Sequence, residues 1–256
     1  MTRPYVLSIA GFDPCGGAGV LSDIKTFESL SVQGLSVVTG ITFQNDRECT
    51  GVEWLSLNAI KKQLDLLINT YDIKAVKFGI IEDWQYIEDL SCIIKNQYKD
   101  IFIIWDPIIR SSSGFNFVKN IDADKFLKLN GLVDLVIPNL SEIQEIFGSA
   151  WIEGIKNFKS CYVKSVKKGK NSLTNNLYIN HTLHEVLVPL LNNASKHGSG
   201  CAVSACITSF IAKGFNLREA VSLSEEYMQK FLVSSEILLG IYDEKYAFNF
   251  VRSLRC

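Results

Sequence analysis

A histidine, two glycines and a cysteine stand together at His197-Gly198-Ser199-Gly200-Cys201, and the small residues Ala202-Val203-Ser204-Ala205-Cys206 follow directly. Glycine accepts positive φ and lets the backbone come close to a ligand. A glycine turn running into small residues predicts a helix that opens from the turn. The first N–H groups of such a helix have no intrahelical partner, and the helix dipole favours negative charge in front of them. The spacing therefore predicts an anion hole at Gly198, Ser199 and Gly200 with the Cys201 thiol at its lip. The same helix end favours thiolate, so the Cys201 pKa is expected to lie below the ordinary value of ~8.5. Together these point to phosphoryl transfer with a cysteine at the reacting end. His197 reads as a turn residue.

The other polar candidates follow a pattern of alternation. Apolar strand-like runs fall at 5–10, 36–43, 75–78, 101–105, 132–137 and 162–166. Helical spacing separates them, as in Ile60, Leu64, Leu67 and Ile68, and again in Ile87, Leu90, Ile93 and Ile94. Val- and Ile-rich strands between amphipathic helices predict a parallel sheet covered on both faces. A strand pair at 176–180 and 182–188 precedes the glycine turn, and helices are expected at 200–213, 216–238 and 242–253. No linker or repeat divides the chain, so residues 1–256 read as one domain. In open α/β sheets ligands bind at the carboxyl ends of the strands. The segment from Gly11 to Gly19, then Gln44-Asn45-Asp46, Gly79, Asp106-Pro107, Pro138-Asn139 and Lys164 all stand at or near such ends. Charge beside buried strand ends is costly unless it meets a ligand, a metal or another charge. One composite site is expected there.

Composition sets limits. The chain has 256 residues, 47% hydrophobic and 21% charged, with a formal net charge of −1. That balance suits a soluble globular core and carries no basic footprint for nucleic acid. No apolar run approaches the ~20 residues that span a bilayer, and the start leads into a strand rather than a secretory leader. The seven cysteines are scattered without a CxxC pair, which predicts free thiols and a cytoplasmic setting. His181 and His184 lack partners at zinc spacing.

Two common phosphate motifs fail. Gly169-Lys170-Asn171 lacks the hydroxyl residue of a P-loop, and Gly17-Ala18-Gly19-Val20-Leu21-Ser22 lacks the third glycine of a dinucleotide fingerprint. The second fragment alone leaves a nicotinamide oxidoreductase open. What the chain does resemble is the ribokinase superfamily, and within it the hydroxymethylpyrimidine and phosphomethylpyrimidine kinases of thiamine biosynthesis. The matching pieces run in order: Ser8-Ile9-Ala10-Gly11-Phe12-Asp13, Gly16-Gly17-Ala18-Gly19, Asp23-Ile24-Lys25-Thr26-Phe27, Thr42-Phe43-Gln44-Asn45, Lys77-Phe78-Gly79-Ile80, Asp106-Pro107-Ile108, Ser113-Gly114, Pro138-Asn139-Leu140-Ser141-Glu142, Val163-Lys164 and the His-Gly-Ser-Gly-Cys turn.

The resemblance implies a three-layer α/β/α fold with a mostly parallel central sheet. It implies ATP-dependent phosphorylation of 4-amino-5-hydroxymethyl-2-methylpyrimidine and of its monophosphate, with magnesium. It gives Gly198, Ser199 and Gly200 the transferring phosphoryl group and Cys201 the role of base. Sugar and pyridoxal kinases of the superfamily usually carry an aspartate at that position. Gly11, Asp23, Gln44, Ile80 and Ile108 match pyrimidine-site positions. Asn139 and Lys164 are implied near the nucleotide, Asp106 and Glu142 near magnesium, and a homodimer is implied. The chain departs from the family pattern in four places. Lys164-Ser165-Val166-Lys167-Lys168-Gly169 replaces Lys-Gly-Gly-His, Ile80 replaces methionine, Ser199 replaces threonine and Phe12 replaces serine. Two alternatives remain open on the same scaffold: a pyridoxal or pyridoxine kinase, and a non-catalytic ligand-binding protein.

Overall fold

The computed structural model describes residues 2–191 and 195–246. Strands β1 (Tyr5–Phe12), β2 (Gln33–Gln44), β3 (Cys49–Trp54), β4 (Ile73–Phe78), β5 (Phe102–Trp105), β6 (Leu135–Val136), β7 (Ser160–Lys168), β8 (Ser172–Ile179) and β9 (Thr182–Pro189) alternate with helices. The helices are α1 (Gly19–Ser29), α2 (Leu57–Ile68), α3 (Trp84–Gln97), α4 (Ala123–Lys128), α5 (Leu140–Phe147), α6 (Trp151–Ile155), α7 (Ser199–Ala212) and α8 (Leu217–Leu232).

The strands form one nine-stranded sheet in the order β3-β2-β1-β4-β5-β6-β7-β8-β9. From β2 to β7 all neighbours are parallel, while β3, β8 and β9 add antiparallel edges. The expected three-layer arrangement is what the chain adopts. Helices α2 to α5 bury Ile60, Leu64, Ile87, Phe126 and Ile143 against one face. The opposite face carries α1, α7 and α8, with Phe27, Ala205, Ile207 and Tyr227 inside. Residues 6 to 11 of β1 are buried on both sides, as a central parallel strand requires. After β1 the chain builds outward through β2, then returns to the other side of β1 as β4. Such a reversal opens a crevice at the carboxyl ends of the two strands.

Several element boundaries differ from the sequence expectation. Strand β3 was not expected: Cys49–Trp54 is a half-exposed edge with Gly51 in its middle, and it lacks clear apolar alternation. The expected strand at 132–137 contracts to Leu135–Val136, and the expected helix at 216–238 stops at Leu232. Of the helix expected at 242–253, residues 242–246 contain only a 3₁₀ turn at Glu244–Tyr246, and 247–253 lie outside the described residues. Among the described residues no helix is long and apolar enough to cross a membrane.

Candidate active site

Close backbone contact builds the floor of the crevice. A Cβ on Gly11 would stand 2.4 Å from Ile80 Cδ1, one on Gly19 would stand 2.1 Å from the Gly11 carbonyl oxygen, and one on Gly79 would stand 2.8 Å from Ala10 Cβ. The start of α1 therefore meets the β1 backbone directly at Gly19, while Gly11 and Gly79 leave room for the Ile80 and Ala10 side chains. Above this floor lies a cleft of about 340 Å³. Gly11, Gln44, Ile80 and Ile108 line it, as do Asp106, Asn139, Glu142, Lys164, Gly198, Ser199, Gly200 and Cys201. Among the described residues the Gln44 side chain has no hydrogen-bond partner, so both its amide donor and its acceptor are available to a ligand.

The glycine turn opens directly into α7. Gly198 caps α7 at φ +74° without any side-chain cap; the Ser199 N–H donates to the Lys196 carbonyl at 3.3 Å, and the turn residues Gly198, Ser199 and Gly200 line the cleft. Its positive φ and its contacts demand glycine, since a Cβ would come 1.9 Å from the Gly17 carbonyl oxygen. The Lys164 ammonium stands 3.3 Å from Asp106 Oδ1 and 3.6 Å from where a Cβ on Gly200 would lie. Ser204, one turn into α7, donates to Asp106 Oδ2 at 3.0 Å. Asn139 and Glu142 form a reciprocal capping box at the start of α5, with the Asn139 N–H donating to Glu142 Oε2 at 2.8 Å. Burial and the nearby Asp106 push the Glu142 carboxyl up to about 7, against the pull of Lys164. Burial also works against the charge on Lys164, but Asp106 and Glu142 outweigh it and hold the ammonium above its usual range.

Two expectations are corrected. Asp23 does not line the cleft: it is fully buried one layer below, bound by Lys77 Nζ at 2.6 and 2.7 Å and by Ser8 Oγ at 2.5 Å. With Ser8 and Lys77 as its partners and no exposed surface, it serves as a buried counter-charge rather than a ligand contact. The Cys201 thiol is not lowered by its helix end. Burial pushes it up to about 11, with Asp23 and Asp106 adding to the rise and Lys77 and the Gly19 N–H opposing it. Burial disfavours the charged thiolate because it strips the charge of water.

Sequence reasoning also missed residues that shape the site. The Asp13 carboxylate accepts the N–H groups of Cys15, Gly17 and Ala18 and meets His197 Nε2 at 2.9 Å. His197, read as a turn residue, thereby ties its glycine turn to the loop after β1, and its Nδ1 stands 3.4 Å from Ser112 Oγ in a third wall. The polar group Asp13, Cys15 and His197 is compact, but two backbone N–H groups already bond Asp13 Oδ2. That arrangement also answers the dinucleotide fragment: the N–H groups of Gly17 and Ala18, which would hold a pyrophosphate, are bound by the chain's own carboxylate. Arg110 and Glu145, paired at 2.5 Å, complete one rim. Only their position after a strand end hints at this in the sequence.

Comparisons with known proteins bear on the fold and the family. The family model for phosphomethylpyrimidine kinase matches residues 13–242. A hydroxymethylpyrimidine/phosphomethylpyrimidine kinase from Rhizobium meliloti is 32% identical over 248 residues, covering 91% of this chain and 91% of that protein. The crystal structure of a phosphomethylpyrimidine kinase from Clostridium difficile is 28% identical, superposes with a TM-score of 0.73, and covers 89% of this chain and 99% of that one. The pyridoxal kinase from Staphylococcus aureus, solved with pyridoxal, has a TM-score of 0.82 at 21% identity, covering 98% and 96% of the two chains. That likeness speaks to the fold. With a match that begins at the Asp13 loop and runs past the glycine turn at Cys201, the chain belongs to the phosphomethylpyrimidine kinase family.

Proposed function

We propose that this protein is an ATP-dependent kinase that phosphorylates 4-amino-5-hydroxymethyl-2-methylpyrimidine and then its monophosphate, in thiamine biosynthesis. One observation carries the reading: a single cleft holds an amide and apolar wall at Gln44, Ile80 and Ile108, and an anion hole with a lysine at Gly198, Ser199, Gly200 and Lys164. Cys201 joins the two ends, since the Gly19 N–H reaches its thiol and Gly200, under Lys164, precedes it.

The Gln44 amide can read a ring nitrogen and an exocyclic amine, and Ile80 and Ile108 can sandwich the ring. The substrate oxygen attacks the terminal phosphorus of ATP, the bond to the departing diphosphate breaks, and ADP leaves. The transition state is loose, so positioning and charge stabilisation do most of the work. The α7 N–H groups and Lys164 face the charge that develops on the transferring group.

Asp106 and Glu142 fit a magnesium ion. They are hard oxygen donors that line the same cleft. Bound there with ATP, magnesium supplies charge neutralisation at the phosphates. Asn139 holds Glu142 through the capping box. Cys201 is a thiol at rest, so its service as base draws on the thiolate fraction, and Lys77 is the cation that favours that form.

An ADP-release assay with Mg-ATP tests the proposal, comparing the hydroxymethylpyrimidine, its monophosphate and pyridoxine. Turnover on both pyrimidines is expected. Turnover on pyridoxine alone, or silence from folded protein that still binds none of the three, overturns it.

A further inference from the structure

The strand that carries Lys164 breaks one residue later. β7 pairs with β8 at Val163↔Asn176 and next at Lys167↔Thr174, so four steps on one strand face two on the other. At the break Ser165 has φ +58°, a left-handed conformation unfavourable for a residue with a Cβ. Its N–H donates to Asn175 Oδ1 at 2.7 Å. Asn175 Nδ2 in turn donates to Tyr162 Oη at 2.9 Å and to Glu225 Oε1 at 3.2 Å. The Tyr162 hydroxyl donates to the same Glu225 oxygen. Asn175 and Tyr162 are buried, and Glu225 reaches in from α8. None of the three lines the cleft.

A regular ladder would set Lys164 beside Asn175. The break ends that pairing on the β8 side alone: on the β6 side Lys164 stays in register, its N–H donating to the Pro138 carbonyl at 2.9 Å and the residue bridging to Asn139 in step with Val136 and Cys161. Bulges beside active sites re-aim side chains, and a strained residue persists only where its surroundings hold it.

We propose that Asn175, anchored by Tyr162 and Glu225, is a positioning residue that clamps Ser165 in its left-handed conformation and so aims Lys164 at the nucleotide phosphates. The proposal rests on the reading of Lys164 as a nucleotide contact. It explains how this chain keeps its lysine in place with serine where glycines are usual.

Steady-state KM values for Mg-ATP and for the pyrimidine, with thermal melts, test it in the full-length enzyme. Asn175→Ala and Ser165→Val are expected to raise KM for ATP roughly fivefold or more, with the pyrimidine KM changed by less than about twofold. Ser165→Gly is expected to behave like wild type. Combined with Asn175→Ala it should recover at least about half of the loss, because glycine holds a positive φ without a clamp. Ser165 is exposed, so its valine variant carries the test if Asn175→Ala does not fold.

Unchanged KM for ATP in both single variants overturns the proposal. So does a parallel rise in both KM values that tracks lost stability. Lys164→Ala separates the two layers. If that variant also leaves KM for ATP unchanged, the reading of Lys164 falls and the proposal with it. If it raises KM while Asn175→Ala and Ser165→Val are silent, only the positioning role falls.

Discussion

Cys201, proposed above as the base, is buried, and that burial pushes its thiol up to about 11. At pH 7 the neutral thiol therefore dominates. The sign is direct: a raised thiol pKa means that reactivity grows with pH and does not level off until the pKa is reached. Alkylation of Cys201 by iodoacetamide, followed residue by residue by mass spectrometry, should therefore accelerate close to tenfold per pH unit from about 7 to 10. A plateau below about pH 9 would show that the thiol is activated after all. The two phosphorylations differ in what they ask of this residue. A hydroxyl must lose a proton, whereas a phosphate nucleophile is already anionic. Cys201→Ala should slow the first step by about a hundredfold or more and the second by less than about tenfold. Equal losses would remove Cys201 as the base.

At the scale of elements, the site depends on backbones in contact. The turn before α7 and the loop after β1 meet at Gly198 and Gly17, and the Asp13–His197 contact ties them. Gly198→Ala puts a Cβ at positive φ and against the Gly17 carbonyl. A loss of about 1–3 kcal/mol in stability is expected, with loss of turnover; urea denaturation and the ADP assay report each. Below the floor, Lys77 and Asp23 join β4 to α1 as a fully buried ion pair. Removing one partner strands the other without water. Lys77→Met should cost about 3–5 kcal/mol, and adding Asp23→Asn should recover much of it. Additive losses in urea melts would show that the two charges do not depend on each other.

Across the whole molecule, the strand ends of one sheet supply much of the cleft, and the starts of α5 and α7 close it. Gly11 lies near the end of β1, Gln44 ends β2, Ile80 follows β4, Asp106 follows β5, Asn139 follows β6 and Lys164 belongs to β7. Such a site cannot open in halves without disrupting the sheet. Calorimetry should show one main unfolding transition for the chain, and a second resolved transition would argue for separate units. Ligands that bridge several strand ends stabilise the native state by mass action. Mg-ATP at about a hundred times its Kd should add about 2.7 kcal/mol, visible as a higher Tm. A Tm unmoved by the nucleotide counts against the cleft as its site.

Much of this protein was determined by the sequence itself. Val- and Ile-rich runs separated by helical spacing specify a parallel sheet, because burial on both faces leaves no other use for such strands. The Gly198-Ser199-Gly200-Cys201 turn specifies a helix start without a side-chain cap, because helix-end geometry is local. The edge strand β3 escaped notice because a half-exposed edge need not alternate. Other features were decided only by tertiary structure. Lys77 meets Asp23 across 54 residues of chain, which turns an apparent ligand contact into a buried counter-charge. His197 finds Asp13 across 184 residues, and Asn175 supplies from β8 the restraint that Ser165 lacks on β7. The direction of the Cys201 shift belongs here as well. A sequence shows the helix end that lowers a thiol pKa, but the loss of water that raises it exists only once the chain has closed around the site.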